Sequence, residues 1–195
     1  MNMSDLRAFV LMSLRDPQQA ARALLALNLP MPARWMAVGA VVALSATLGT
    51  VAELAFMAVT RSGGAPAAAP LVMAALQFGL VLYGAWAMGF FGRIMGGRGG
   101  FADALILVTW IEAVLLLAQI LQLVLMLVVP ALSVIGSIGL ILLLFWLLIN
   151  FTAALNGFTN IAKVGISVVA IFVGSGILAG TLLVSLGLVP VPQHM

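Results

Sequence analysis

Residues 101–150 read FADALILVTWIEAVLLLAQILQLVLMLVVPALSVIGSIGLILLLFWLLIN, and only Asp103 and Glu112 carry charge in that stretch. As one helix it would be about 75 Å long at 1.5 Å per residue. A bilayer's hydrocarbon core is roughly 30 Å thick, so the chain must fold back. Pro130 disfavours helical geometry at Val129, and Ser133 can cap a second helix. The stretch therefore predicts two full membrane spans, at about 102–128 and about 133–153.

The rest of the chain has the same character. Between Trp35 and Pro190 there are seven charges: Glu53, Arg61, Arg93, Arg98, Asp103, Glu112 and Lys163. The 195 residues are 65% hydrophobic and 7% charged, with a mean hydropathy of +1.29. A soluble domain is about 25% charged. The composition predicts an all-α polytopic membrane protein. Three further spans fit at about 35–59, 70–92 and 161–188. The expected organisation is an N-terminal segment over residues 1–33, a five-span domain over 34–189 and an outer tail over 190–195.

The net charge of +3 and pI near 10.7 come from scattered residues that make no nucleic-acid groove, so no nucleic-acid partner is expected. With the N-terminus inside, the cytoplasmic segments hold Arg7, Arg15, Arg22, Arg34, Arg93, Arg98 and Lys163, and the outer side holds only Arg61. That asymmetry predicts a cytoplasmic N-terminus and an outer C-terminus. A re-entrant hairpin at 101–150 would instead move Lys163 outside, but each half is long enough for a full span. Abundant Ala and Gly, with seven Arg against one Lys, suggest a bacterial source and hence the inner membrane. No cleavable signal peptide is expected, since the first insertable run starts near Trp35.

The N-terminal segment is a short amphipathic helical stretch, too polar to span. Asp16-Pro17 reads as a cap followed by Pro at the first helical position. It divides the segment into two short helices. Ala20, Ala21, Leu24, Leu25 and Leu27 share one face of the second. On the first, Leu6, Phe9, Val10 and Leu14 cluster. Two readings stay open: a helix pair lying in the headgroup region, or helices packed on the bundle's own cytoplasmic loops. Pro30 and Pro32 then break the chain before the first span.

Glu112 is the sharpest candidate for function. It sits about 15 Å into its span at 1.5 Å per residue, near mid-bilayer, where a carboxylate is costly and by default functional. Thr109, Gln119 and Gln122 fall on the same arc, which predicts a polar stripe facing the bundle interior. The stripe reads as a proton or ion relay, or as a neutral Glu hydrogen-bonded to a neighbouring helix. Glu53 reads as snorkelling or pairing with Arg61. The loop RIMGGRGG (93–100) lacks a phosphate-loop pattern. It reads as a mobile loop whose Arg93 and Arg98, with Arg34 at the first span's entry, meet anionic headgroups. Gly176/Gly180 and Ser45/Gly49 have helix-packing spacing, as do the glycines at 79, 84 and 89. All are expected to serve contacts within the monomer.

There is no Cys and one His, His194, so thiolate chemistry and conventional metal sites have nothing to build with. No catalytic constellation is visible and no enzyme is expected. No cofactor is implied.

The stretches RDPQQAARALLAL (15–27), GGRGGFADALILVTW (96–110) and NFTAALNGF (150–158), set in a five-span plan, resemble the bacterial branch of the Yip family of Ypt/Rab-interacting membrane proteins. The resemblance implies a non-enzymatic, membrane-organising or scaffold protein acting through lipid or other membrane proteins. The DLYGP motif of eukaryotic members is absent, so no small-GTPase site is carried over. A small transporter or transporter subunit using Glu112, and an accessory subunit of a larger membrane complex, are the alternatives.

Overall fold

The computed structural model describes residues 3–60 and 69–185. The described residues form seven helices and no strand: α1 (Met3–Arg15), α2 (Pro17–Ala26), α3 (Met31–Thr60), α4 (Pro70–Ile94), α5 (Phe101–Val128), α6 (Pro130–Asn156) and α7 (Ile161–Ser185). The last five are each long and apolar enough to cross a membrane. Arg61, the rest of the first loop to residue 68, and Pro190, Pro192 and His194 lie outside the described residues.

Local chemistry sets the helix ends. The Asp16 carboxylate accepts the Gln19 N–H at 3.0 Å and Pro17 opens α2, as the Asp-Pro pair suggests. Prolines also open α4 and α6. The α6 helix begins at Pro130 with Val129 as its cap (φ −139°, ψ 84°), which corrects the expected start at Ser133. Val129 is held out of the helical region by the proline after it, and Pro130 loses nothing at a position whose N–H is unsatisfied anyway. For the same reason α3 starts at Met31, ahead of Pro32, rather than near Trp35. Glycines in the left-handed region end two helices: Gly96 (φ 88°) after α4 and Gly157 (φ 73°) at the end of α6. Each lets the chain bond back onto the last turn. Gly97 N–H reaches the Gly92 carbonyl at 2.8 Å, and Phe158 N–H that of Ala153 at 2.9 Å, as this cap geometry requires.

Full burial is confined to one end of the bundle among the described residues. On α5 the buried run is Ala104–Thr109, with Ile111, Val114 and Leu115 following. No described residue is buried beyond Ala46 on α3, before Val81 on α4, beyond Leu115 on α5, before Leu147 on α6 or beyond Val168 on α7. The end that carries α1, α2, the 95–100 loop and the α6–α7 turn is the packed end. The other is the open end, where apolar side chains such as Leu71, Val128, Ile135 and Ile177 stand exposed.

The N-terminal pair belongs to the packed end. Ala20 and Ala21 of α2 are fully buried and Leu24 nearly so, in one cluster with Leu105, Leu107 and Phe151. This decides for helices packed on the bundle over a pair lying free in the headgroups. The packed side of α1 is Phe9, Met12 and Ser13 rather than the Leu6–Phe9–Val10–Leu14 cluster. Phe9 meets the Trp110 ring edge-on at 4.8 Å, and Trp110 Nε1 donates to Ser13 Oγ at 2.9 Å. Gln18 Nε2 lies 3.4 Å from Asn150 Oδ1. Leu11 and Leu14 face outward.

Asn156 ties the packed end together. Its Oδ1 accepts the Gly99 N–H at 3.1 Å, and its Nδ2 donates to the Thr152 and Met88 carbonyls at 3.0 and 3.4 Å. The carboxamide fills space left by Gly92, Gly97 and Gly99. A Cβ at Gly99 would lie 2.7 Å from Leu155 Cγ. The 93–100 loop is therefore a fitted collar, not the mobile segment its glycines suggest. The small residues divide as well. Gly84 approaches Val108 and Gly89 the Phe101 backbone. Gly49, Gly79, Gly176 and Gly180 face open space, which corrects their assignment to contacts within the monomer.

Gly97→Ala should lower the thermal stability of the detergent-solubilised protein by about 1–3 kcal/mol, because the added Cβ overlaps Asn156. Gly79→Ala should leave it unchanged or raise it by up to ~1 kcal/mol, since an unpacked helical Gly only loses its entropy cost. Thermal unfolding followed by circular dichroism compares the two.

Candidate functional site

The Glu112 carboxylate is held by one partner that the sequence reading missed. Gln77 Nε2 of α4 donates to Glu112 Oε2 at 2.8 Å. Gln77 had a signal, being the only amide among residues 70–92. Antiparallel neighbours joined by a short collar bring it opposite Glu112.

The polar stripe of α5 does not converge. Thr109 is buried and its hydroxyl returns to the Leu105 carbonyl of its own helix at 2.7 Å. Gln122 turns to α6, where its Nε2 donates to Ser137 Oγ at 2.7 Å. Gln119 is exposed. At 100° per residue, Thr109 to Gln122 spans an arc of roughly 140°. That is wide enough for its edges to face different neighbours. The candidate site reduces to Glu112 with Gln77.

Glu112 lines an apolar groove. Its walls are α4 and α7 and its floor is α5 and α6, with a cavity of about 390 Å³. Helix α7 packs chiefly on α6 through Val164 and Val168, with Phe145 and Phe172 edge-to-face at 5.2 Å. Across the gap, the Tyr83 and Ser175 hydroxyls are hydrogen-bonded. The other lining residues include Leu80, Val108, Ile111, Leu144 and Ile171. Besides Glu112 and the Tyr83–Ser175 pair, only Thr152 and Ser167 bring side-chain oxygens to the lining. Their hydroxyls bond the Leu148 and Lys163 carbonyls of their own helices. This is an apolar surface with one acid in its floor.

The candidate headgroup contacts also separate. Arg34 is buried. Its Nη1 pairs with Asp103 at 2.9 Å and its Nε donates to the Leu29 carbonyl at 2.8 Å. It fastens α3 to α5 instead of reaching for lipid, because Asp103 lies in the first turn of the neighbouring helix. Arg93 and Arg98 are exposed. Glu53 is half-buried in the outer part of α3. Among the described residues no group of three or more His, Asp or Glu side chains could hold a metal ion.

Comparison with known proteins finds no matching family model, no matching curated protein and no matching solved structure.

Gln77→Leu leaves the Glu112 oxygens without their partner and should cost about 1–3 kcal/mol of stability. Glu112→Gln keeps a bond to Gln77 and should cost less than about 1 kcal/mol. Gln77→Leu combined with Glu112→Leu should recover part of the loss, because both partners are then apolar. Thermal unfolding in detergent measures all three.

Proposed function

We propose that this chain is a non-enzymatic, multi-pass protein of a bacterial inner membrane. It organises its surroundings by holding another membrane component in the groove between α4 and α7. The observation that carries the reading is the lining of that groove. It is apolar almost throughout, it lies between helices that would face lipid, and its one acid is already bonded to Gln77. The plan of two short helices followed by five apolar ones is compatible with the Yip-type resemblance and its membrane-organising role.

A cytoplasmic N-terminus is supported by the positive-inside pattern. The N-terminal hairpin adds a depth marker. Its tip, Arg15 and Asp16, is exposed, while Ser13 beside it touches Trp110. Exposed charges do not sit in hydrocarbon. The hairpin tip therefore sits outside the hydrocarbon in this reading.

A transporter is the second reading, favoured by the position of Glu112 in the groove floor. It requires the carboxylate to exchange protons or ions. If it holds, Glu112→Gln should abolish a pH-dependent flux in proteoliposomes while expression stays intact. The membrane-organising reading expects no such flux from the wild type. It also expects a lipid or polypeptide to stay bound through purification in mild detergent, detected by native mass spectrometry. Purification without any retained component would overturn it.

A further inference from the structure

The groove has a charged mouth. At the packed end a second cleft, of about 350 Å³, is lined by Met95, Phe158, Thr159, Asn160, Lys163 and Val164. It shares Met95 and Val164 with the apolar groove, so the two adjoin. Lys163 is exposed, no acidic residue lines the cleft, and among the described residues the one ion pair is Arg34–Asp103. Lys163 also sits in the first turn of α7, where Asn160 caps its N–H at 3.0 Å. A cation there faces the positive end of the helix dipole, an arrangement that an anion relieves.

The length suits an extended chain. The groove follows α7 from Val164 to Gly176, about 18 Å at 1.5 Å per residue. One leaflet's share of the hydrocarbon core is about 15 Å. An acyl chain that enters at the charged mouth has that distance to run, and the groove is apolar along it.

From this charge and shape we propose that the groove binds one acyl chain of an anionic phospholipid from the cytoplasmic leaflet. The phosphate sits at Lys163 and the chain runs between α4 and α7 to Gly176. The inference rests on the membrane-organising reading above and names the component it holds.

The test is native mass spectrometry of the full chain in mild detergent, titrated with phosphatidylglycerol or with phosphatidylcholine bearing the same chains. The wild type should retain one phosphatidylglycerol with at least about tenfold preference over phosphatidylcholine, some 1.4 kcal/mol. Lys163→Glu, at an exposed position, should lose that preference yet still retain lipid. Gly176→Leu, whose added atoms enter open space at the groove's far end, should cut retention of both lipids several-fold. Circular dichroism confirms that each variant is folded. Equal retention of the two lipids by the wild type, with loss of both in Gly176→Leu, would overturn the headgroup assignment and leave the groove reading standing. A co-purifying polypeptide released by Gly176→Leu would likewise overturn the lipid and keep the groove. Retention unaffected by either substitution would overturn the inference, and no retained component at all would overturn both.

Discussion

The carboxamide of Asn156 is the contact on which the packed end depends. It holds α6 to the collar through Gly99 N–H and to α4 through the Met88 carbonyl, while satisfying the last turn of its own helix. In hydrocarbon there is no general hydrophobic drive for helix association. At a water-facing end, burial of apolar area does drive it. A buried amide with its bonds satisfied adds a single geometry to that drive, because an unpaired one is costly. Glycines at 92, 97 and 99 are the other half of this lock, since any side chain there would displace the amide.

Around that lock the N-terminal hairpin completes a soluble-like core. Ala20 and Ala21 allow α2 to approach α5 and α6 closely, and Arg34 with Asp103 anchors the start of α3. Beyond this core the described parts of the five long helices have no fully buried residues, and α5 and α6 meet there through Gln122 and Ser137. The groove exists because α7 is held along its first half by α6 and reaches α4 mainly through Tyr83 and Ser175.

Much of the fold was legible because membrane insertion leaves coarse signals. Apolar run length and proline position gave five long helices. The Asp16-Pro17 pair marked a true helix start, whereas Ser133 misled because Pro130 is itself an acceptable first residue. The site was less legible. The stripe on α5 was real as an arc, but an arc does not say which neighbour each edge meets, and Gln77 was needed to place Glu112. Glycine richness in 93–100 looked like freedom and was instead close fit, because the residue that requires those glycines, Asn156, lies nearly sixty positions away. One basic residue misled in the same way. Arg34 looked like an interfacial anchor until its partner on another helix was known.

The confinement of all burial to one end has a mechanical consequence. Each long helix is a stiff rod clamped firmly at one end and held more loosely toward the other, where α5 and α6 share the Val129 turn and the Gln122–Ser137 bond. A small tilt at the clamp is multiplied by the rod's length into a larger sideways excursion at the tip. In a membrane, lateral pressure around the tips would act on long lever arms, and the spread of the five rods would respond to it.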